Sequence, residues 1–136
     1  MSMLDTYRNN LLRKREEAAK LNQDLAKEQA KIAPLQQKII SANAAIGRTK
    51  SASTIKSKLN EIERANKAIA DTQKKVGDIQ KKLAQKEKEI AAAEKTYHNE
   101  ETKVNKKAAD AEKKRIQEAS RQSAALEQAI HRQEQL

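Results

Sequence analysis

Phenylalanine, tryptophan and cysteine are absent from this sequence, proline occurs once, glycine twice, and Tyr7 and Tyr97 are the only aromatics. Aromatic side chains supply much of the buried area of a compact core, so a conventional single-core domain is not expected. Two glycines leave no phosphate-cradling glycine motif. The lack of cysteine suits a reducing compartment. No apolar run approaches the ~18 residues that would cross a bilayer, and no signal-peptide core opens the chain.

What is abundant is charge. Charged residues make up 35% of the chain, the mean hydropathy is −0.99 and the net charge is +10. The balance is +3 before Gly47, +6 over 47–97 and +1 afterwards. A basic excess attracts nucleic acid or anionic lipid. Here acidic residues are interleaved throughout, and no stacking aromatics stand beside the lysines. The densest basic stretch, Lys74–Lys75 with Lys81–Lys82, is broken by Asp78. Solvated helix faces are the simpler reading, and no specific nucleic acid partner is expected.

Such a composition also suits disorder, but the apolar residues keep a phase. One ladder alternates steps of three and four through Leu4, Tyr7, Leu11, Ala18, Leu21, Leu25, Ile32, Leu35, Ile39, Ala42 and Ile46, interrupted only at Lys14 and Glu28. A second places Ile62, Ile69, Val76, Leu83, Ile90, Tyr97, Val104 and Ala111 at intervals of seven. Large aliphatics and Tyr are 27 of 136 residues, so seven successive hits from Ile62 to Val104 have a chance probability of roughly 10⁻⁵. A seven-residue repeat specifies helices that bury a narrow seam against other helices. The fold class expected is all-α: a long antiparallel helical hairpin, or coiled coil, in one domain spanning 1–136, although a long parallel dimer would use the same apolar positions.

The first helix is expected over about 3–46, with Ser2 and Asp5 as a capping box. Pro34 lies inside it and normally breaks or kinks a helix. The ladder nevertheless holds its phase across it, which favours a kinked continuous helix. A turn is expected over 47–53, with Gly47 supplying a left-handed residue and Ser51 or Ser53 capping the next helix. That second helix is expected over about 54–133. Beyond Ala111 its stripe shifts to Ile116, Ala119, Ser123, Leu126 and Ile130. The chain reaches Leu136 without a Gly or Asn cap, as a helix within a longer protein would.

Folding the ladders together with paired numbers adding to 101 sets Ile39 beside Ile62, Ile32 beside Ile69, Leu25 beside Val76, Leu11 beside Ile90 and Leu4 beside Tyr97. Lys14 then lies opposite Glu87, and Glu28 opposite Gln73. The companion row on the second helix is expected to be polar: Asn66, Gln73, Gln80, Glu87, Glu94 and Glu101. So thin a seam calls for a second layer. Val104, Ile116, Leu126 and Ile130 have no partner in their own chain, and the expectation is a homodimer with a four-helix layer and an extended C-terminal helix.

Candidate chemistry is sparse. Glu94, His98 and Glu101, and again Glu127, His131 and Glu134, share helical faces. Di-metal bundles use the opposite order, Glu-x-x-His, on inward faces, so exposed histidines near acids are the simpler reading. Ser51, Ser53, Thr54 and Ser57 have no histidine nearby in sequence to act as base, and capping accounts for them. Neither a cofactor nor catalysis is expected of this chain.

The segment Ala45-Ile46-Gly47-Arg48-Thr49-Lys50-Ser51-Ala52-Ser53-Thr54-Ile55-Lys56-Ser57-Lys58-Leu59-Asn60-Glu61-Ile62 is more distinctive than the heptads. It resembles the N-terminal coiled-coil region of bacterial TIR-domain proteins, where an Ile-Gly-[Lys/Arg]-Thr turn precedes a Ser-rich cap and a Lys/Leu/Ile helix. The likeness covers about 45–83. It implies a cytoplasmic bacterial protein whose coiled coil self-associates and brings C-terminal TIR domains together. Those domains cleave NAD⁺ and in some members interfere with host innate signalling. The TIR domain and its catalytic glutamate have no counterpart here. The alternative is a basic helical adaptor for nucleic acid or an anionic membrane.

Overall fold

The computed structural model describes residues 2–135. They form three helices, α1 (Met3–Ala30), α2 (Ile32–Arg48) and α3 (Ala52–Glu134), with no strand among the described residues. α1 and α2 run in series along the first part of α3, and both pack against it. At about 1.5 Å per residue, α3 is ~125 Å long and the α1–α2 arm ~70 Å. The accessible surface is 10,846 Å², about one and a half times the ~7,100 Å² of a compact protein of this mass. The excess is that of a rod two helices thick.

Local chemistry accounts for the ends. Ser2 caps α1 by accepting the Asp5 N–H at 3.1 Å, and Asp5 supplies the acid that a helix start favours. At Pro34 the arm is interrupted rather than continuous, because proline cannot donate to a helical ladder. The interruption is confined to Lys31, which keeps helical angles (φ −74°, ψ −21°) while its N–H tightens onto Glu28 O at 3.1 Å. A one-residue break preserves the phase of the apolar row.

The turn is shorter than the 47–53 expected, and it is built differently. Gly47 lies inside α2, and no described residue has a positive φ. The chain leaves the helix through Thr49, whose extended backbone (φ −120°, ψ 151°) needs no glycine. Ser51 is the cap of α3, accepting the Thr54 N–H at 3.4 Å. Ser53 is already helical, and its hydroxyl lies 3.1 Å from that of Ser51. Only Thr49, Lys50 and Ser51 separate the helices.

All thirteen members of the first ladder, Lys14 and Glu28 included, are buried or partly buried. On α3 most of the shielded positions fall in two rows. Ile55, Ile62, Ile69, Val76, Leu83, Ile90 and Tyr97 make one; Lys58, Ala65, Thr72, Ile79, Lys86, Ala93 and Glu100 make the other. Of the expected companions, Asn66, Gln73, Gln80 and Glu87 are exposed, while Glu94 and Glu101 are partly buried. Stepping three residues rather than four from each large aliphatic reaches Ala65, Thr72 and Ala93, which are cheaper to bury than amides and carboxylates.

The register also departs from the paired numbers adding to 101. Lys14 reaches Glu89, not Glu87, at 3.7 Å, and Lys86 reaches Glu17 at 2.6 Å; both pairs add to 103, while the longer Arg15 reaches along the axis to Glu94, a pair adding to 109. Within one residue, Leu11 is then level with Ala93, Ile32 with Thr72, Ile39 with Ala65, and Ala42 with Ile62. The most buried side chains are Ala42 at 3% exposure, Ala65 at 4%, Leu11 at 5%, and Thr72, Leu83 and Ala93 at 7%, so four of the six are small. Large facing small lets two axes approach closely, and a two-helix seam cannot enclose a large side chain on every side.

Candidate self-association surface

The seam is the frame, and the hairpin's two sides differ in chemistry. On one side Lys86 bridges Glu17 and Glu89 at 2.6 and 3.3 Å, and Glu89 holds Lys14. The Lys86 hydrogen bond pulls the Glu17 carboxyl below its usual range, and the Glu17 carboxylate raises the Lys86 ammonium. On the opposite side Arg15 meets Glu94 at 2.8 Å. Glu28 is pulled down first by its hydrogen bond to Lys31, and its second oxygen, Oε2, is buried with no hydrogen-bond partner among the described residues. A carboxylate in an apolar row is a local defect of the seam.

Of the expected seam residues, Leu11 and Leu83 are buried, while Leu4, Leu25, Ile32, Ile39, Ile62, Ile69, Val76, Ile90 and Tyr97 are partly buried. The structure brings them together along one line. The Tyr97 phenol is raised, chiefly by donating to Glu101. His98 Nδ1 lies 3.9 Å from Glu101, and no three potential metal-binding side chains converge among the described residues. Ser51 is engaged in capping α3, and no helix among the described residues is long and apolar enough to cross a membrane.

Past Glu101 the environment changes. Every described residue from 102 onward is exposed, because α1 begins at Met3 and covers α3 only to the level of Glu100. Val104, Ile116, Leu126 and Ile130 are 41%, 56%, 63% and 48% exposed. The tail of α3 is thus a single helix of ~50 Å with large aliphatics in water.

A second feature was not evident from the apolar pattern. Lys67, Lys74, Lys81, Lys88 and Lys95 recur every seven residues on the outer face of α3, all exposed and none in an ion pair among the described residues. Their interval, counted along the sequence, was the available signal. Neither a protein family, a curated protein nor a solved structure matches the chain.

Proposed function

We propose that this chain is a self-association module: a helical hairpin that forms a homodimer through the tail of α3. The observation carrying this reading is the tail itself, with four large aliphatics 41–63% exposed and no described residue of α1 or α2 against them. A solitary helix gains little from backbone hydrogen bonds alone, and its stability in a protein comes from packing an apolar face. A second copy supplies that packing. On the resemblance at 45–83, the dimer would hold C-terminal TIR domains in one bacterial, cytoplasmic assembly. Where the linkers reach from one end of the paired tails to the other, tethering raises their local concentration to the millimolar range, which favours contacts too weak to form between free domains.

The test is direct. Leu126→Asp together with Ile130→Asp places two charges on the exposed stripe without touching the hairpin. Sedimentation equilibrium at micromolar concentration should show a dimer for the wild type and a monomer for the variant, with helicity of residues 2–100 retained. A variant that stays dimeric refutes this interface.

One observation favours a second reading. The row Lys67 to Lys95 spans ~42 Å of α3 at intervals of ~10.5 Å, a geometry suited to a polyanion. This adaptor reading predicts binding to duplex nucleic acid or anionic vesicles that falls steeply with salt. No binding at low ionic strength removes it.

A further inference from the structure

We infer that the tail of α3 pairs antiparallel with the same tail of a second copy, about a two-fold axis at Gln117. This rests on the self-association reading and fixes its direction. Six positions of the tail's apolar face are arranged symmetrically about Gln117, while Ile116 and Ala119 fall outside the symmetric set, level with the second copy's Glu118 and Arg115. Ala111 and Ser123 lie six residues to either side, Ala108 and Leu126 nine, and Val104 and Ile130 thirteen. All are exposed. A stripe that reads the same in both directions is self-complementary when reversed, as a two-fold interface requires. Reversal sets Leu126 against the second copy's Ala108, and Val104 against its Ile130. Arg115, two residues from the axis, is turned along its own helix by Glu112, with contacts of 2.6 and 3.1 Å. Its charge is therefore met before any partner arrives.

Charge selects the same direction. Residues 103–115 carry six cations and two acids, and 116–135 carry two cations and three acids, so the halves are +4 and −1. Parallel tails would lay +4 on +4. Antiparallel tails lay each basic half on the weakly acidic half, with Lys107 beside the second copy's Glu127, and like charges are kept apart. The fit to the hairpin agrees. The second copy's Ile130 falls beside Val104, one turn beyond Glu100, where α1 stops covering α3. α3 is then two helices thick over the tail as well.

The absence of cysteine makes the test clean. Full-length Ala108→Cys and Leu126→Cys are prepared separately, then oxidised alone and as a mixture. The mixture should give a disulfide between the two variants, exceeding either self-linked product by at least about tenfold, since only that pair is held at high effective concentration. In an antiparallel pair the two thiols introduced at position 126 are ~27 Å apart and cannot join. Self-linking of Leu126→Cys overturns the direction. So does a dimer by sedimentation that forms neither product. A monomeric wild type removes the interface and the self-association reading together.

Discussion

Lys86 donates to Glu17 across the hairpin at 2.6 Å, although 69 positions separate them in the chain. Lys86 also holds Glu89 at 3.3 Å, Glu89 holds Lys14 at 3.7 Å, and Glu17 is touched by Arg13 at 3.7 Å. The network alternates in sign and crosses the seam. A slide of one heptad would put Glu17 against a residue other than Lys86, so these charges select one alignment from several that the apolar repeat alone would permit.

The pH dependence of stability has its origin in that network. Glu17, Glu28 and Glu112 are lowered from 4.5, each first by a hydrogen bond to a cation: Lys86, Lys31 and Arg115. A carboxyl lowered on folding stabilises the fold above its unfolded pKa and withdraws that help as pH falls through the folded value. Lys86 is raised from 10.5, so its help is complete below that value and is lost as pH climbs through the folded one. Melting followed by circular dichroism should be level across neutral pH, fall on the acid side below 4.5 and fall again above 10.5. Glu17→Gln should flatten the acid limb. High salt should shrink both limbs, most for Glu17 and Glu112, which stand in solvent, and less for the partly buried Lys86 and Glu28.

Ala93 is 7% exposed and level with Leu11, itself 5% exposed. Its methyl group fills the gap between the helices. Ala93→Leu should push the axes apart and destabilise the hairpin by about 1–3 kcal/mol, whereas Ala92→Leu, on the exposed neighbour, should change stability by under about 0.5 kcal/mol. Urea unfolding of the two variants measures the difference, and equal midpoints would count against a close-packed layer at Ala93.

That small residues carry the tightest layers explains which parts of the fold were legible beforehand. The all-helical architecture could be read from the period of Leu, Ile, Val and Tyr, since no other structure uses a seven-residue spacing so long sustained. The unpartnered tail could be read too, because apolar positions continue after the first helix has run out. The second row of α3 could not. Ala65, Thr72 and Ala93 look no more apolar than the chain's many other alanines and hydroxyls, and the row also contains Lys58, Lys86 and Glu100. Choosing between Ala65 and Asn66 requires the direction from which α2 approaches, which is tertiary information. Gly47 misled for a local reason: glycine permits a left-handed exit from a helix, yet an extended Thr49 serves equally well.

Glu28 points to an improvement. It occupies a seam position level with Val76, with one oxygen on Lys31 at 2.8 Å and the other, Oε2, without a hydrogen-bond partner among the described residues. Glu28→Leu removes the orphaned oxygen and joins Leu25 to Ile32 in an unbroken apolar row. The melting temperature should rise by about 5 °C, measured on Leu126→Asp, Ile130→Asp protein so that dimer formation does not contribute. No change would show that Lys31 already compensates the carboxylate in full.

The fold-back itself is open to a chemical test that also reads the register. Ile39 is level with Ala65, while Ile62 lies about three residues out of step, or ~4.5 Å along the axis. A chain with Ile39→Cys and Ala65→Cys should close an internal disulfide, because facing seam positions bring the two Cα atoms within the roughly 4.4–6.8 Å that the bond requires. Ile39→Cys with Ile62→Cys should close more slowly under the same oxidant. The product must migrate as a single chain without reductant, and its yield must be independent of protein concentration. Two long helices lying parallel in a dimer would never bring residue 39 to residue 65, and would yield only linked pairs whose amount rises with concentration. Faster closure at 62 than at 65 would keep the hairpin but return the alignment to paired numbers adding to 101, displacing Lys86 from Glu17.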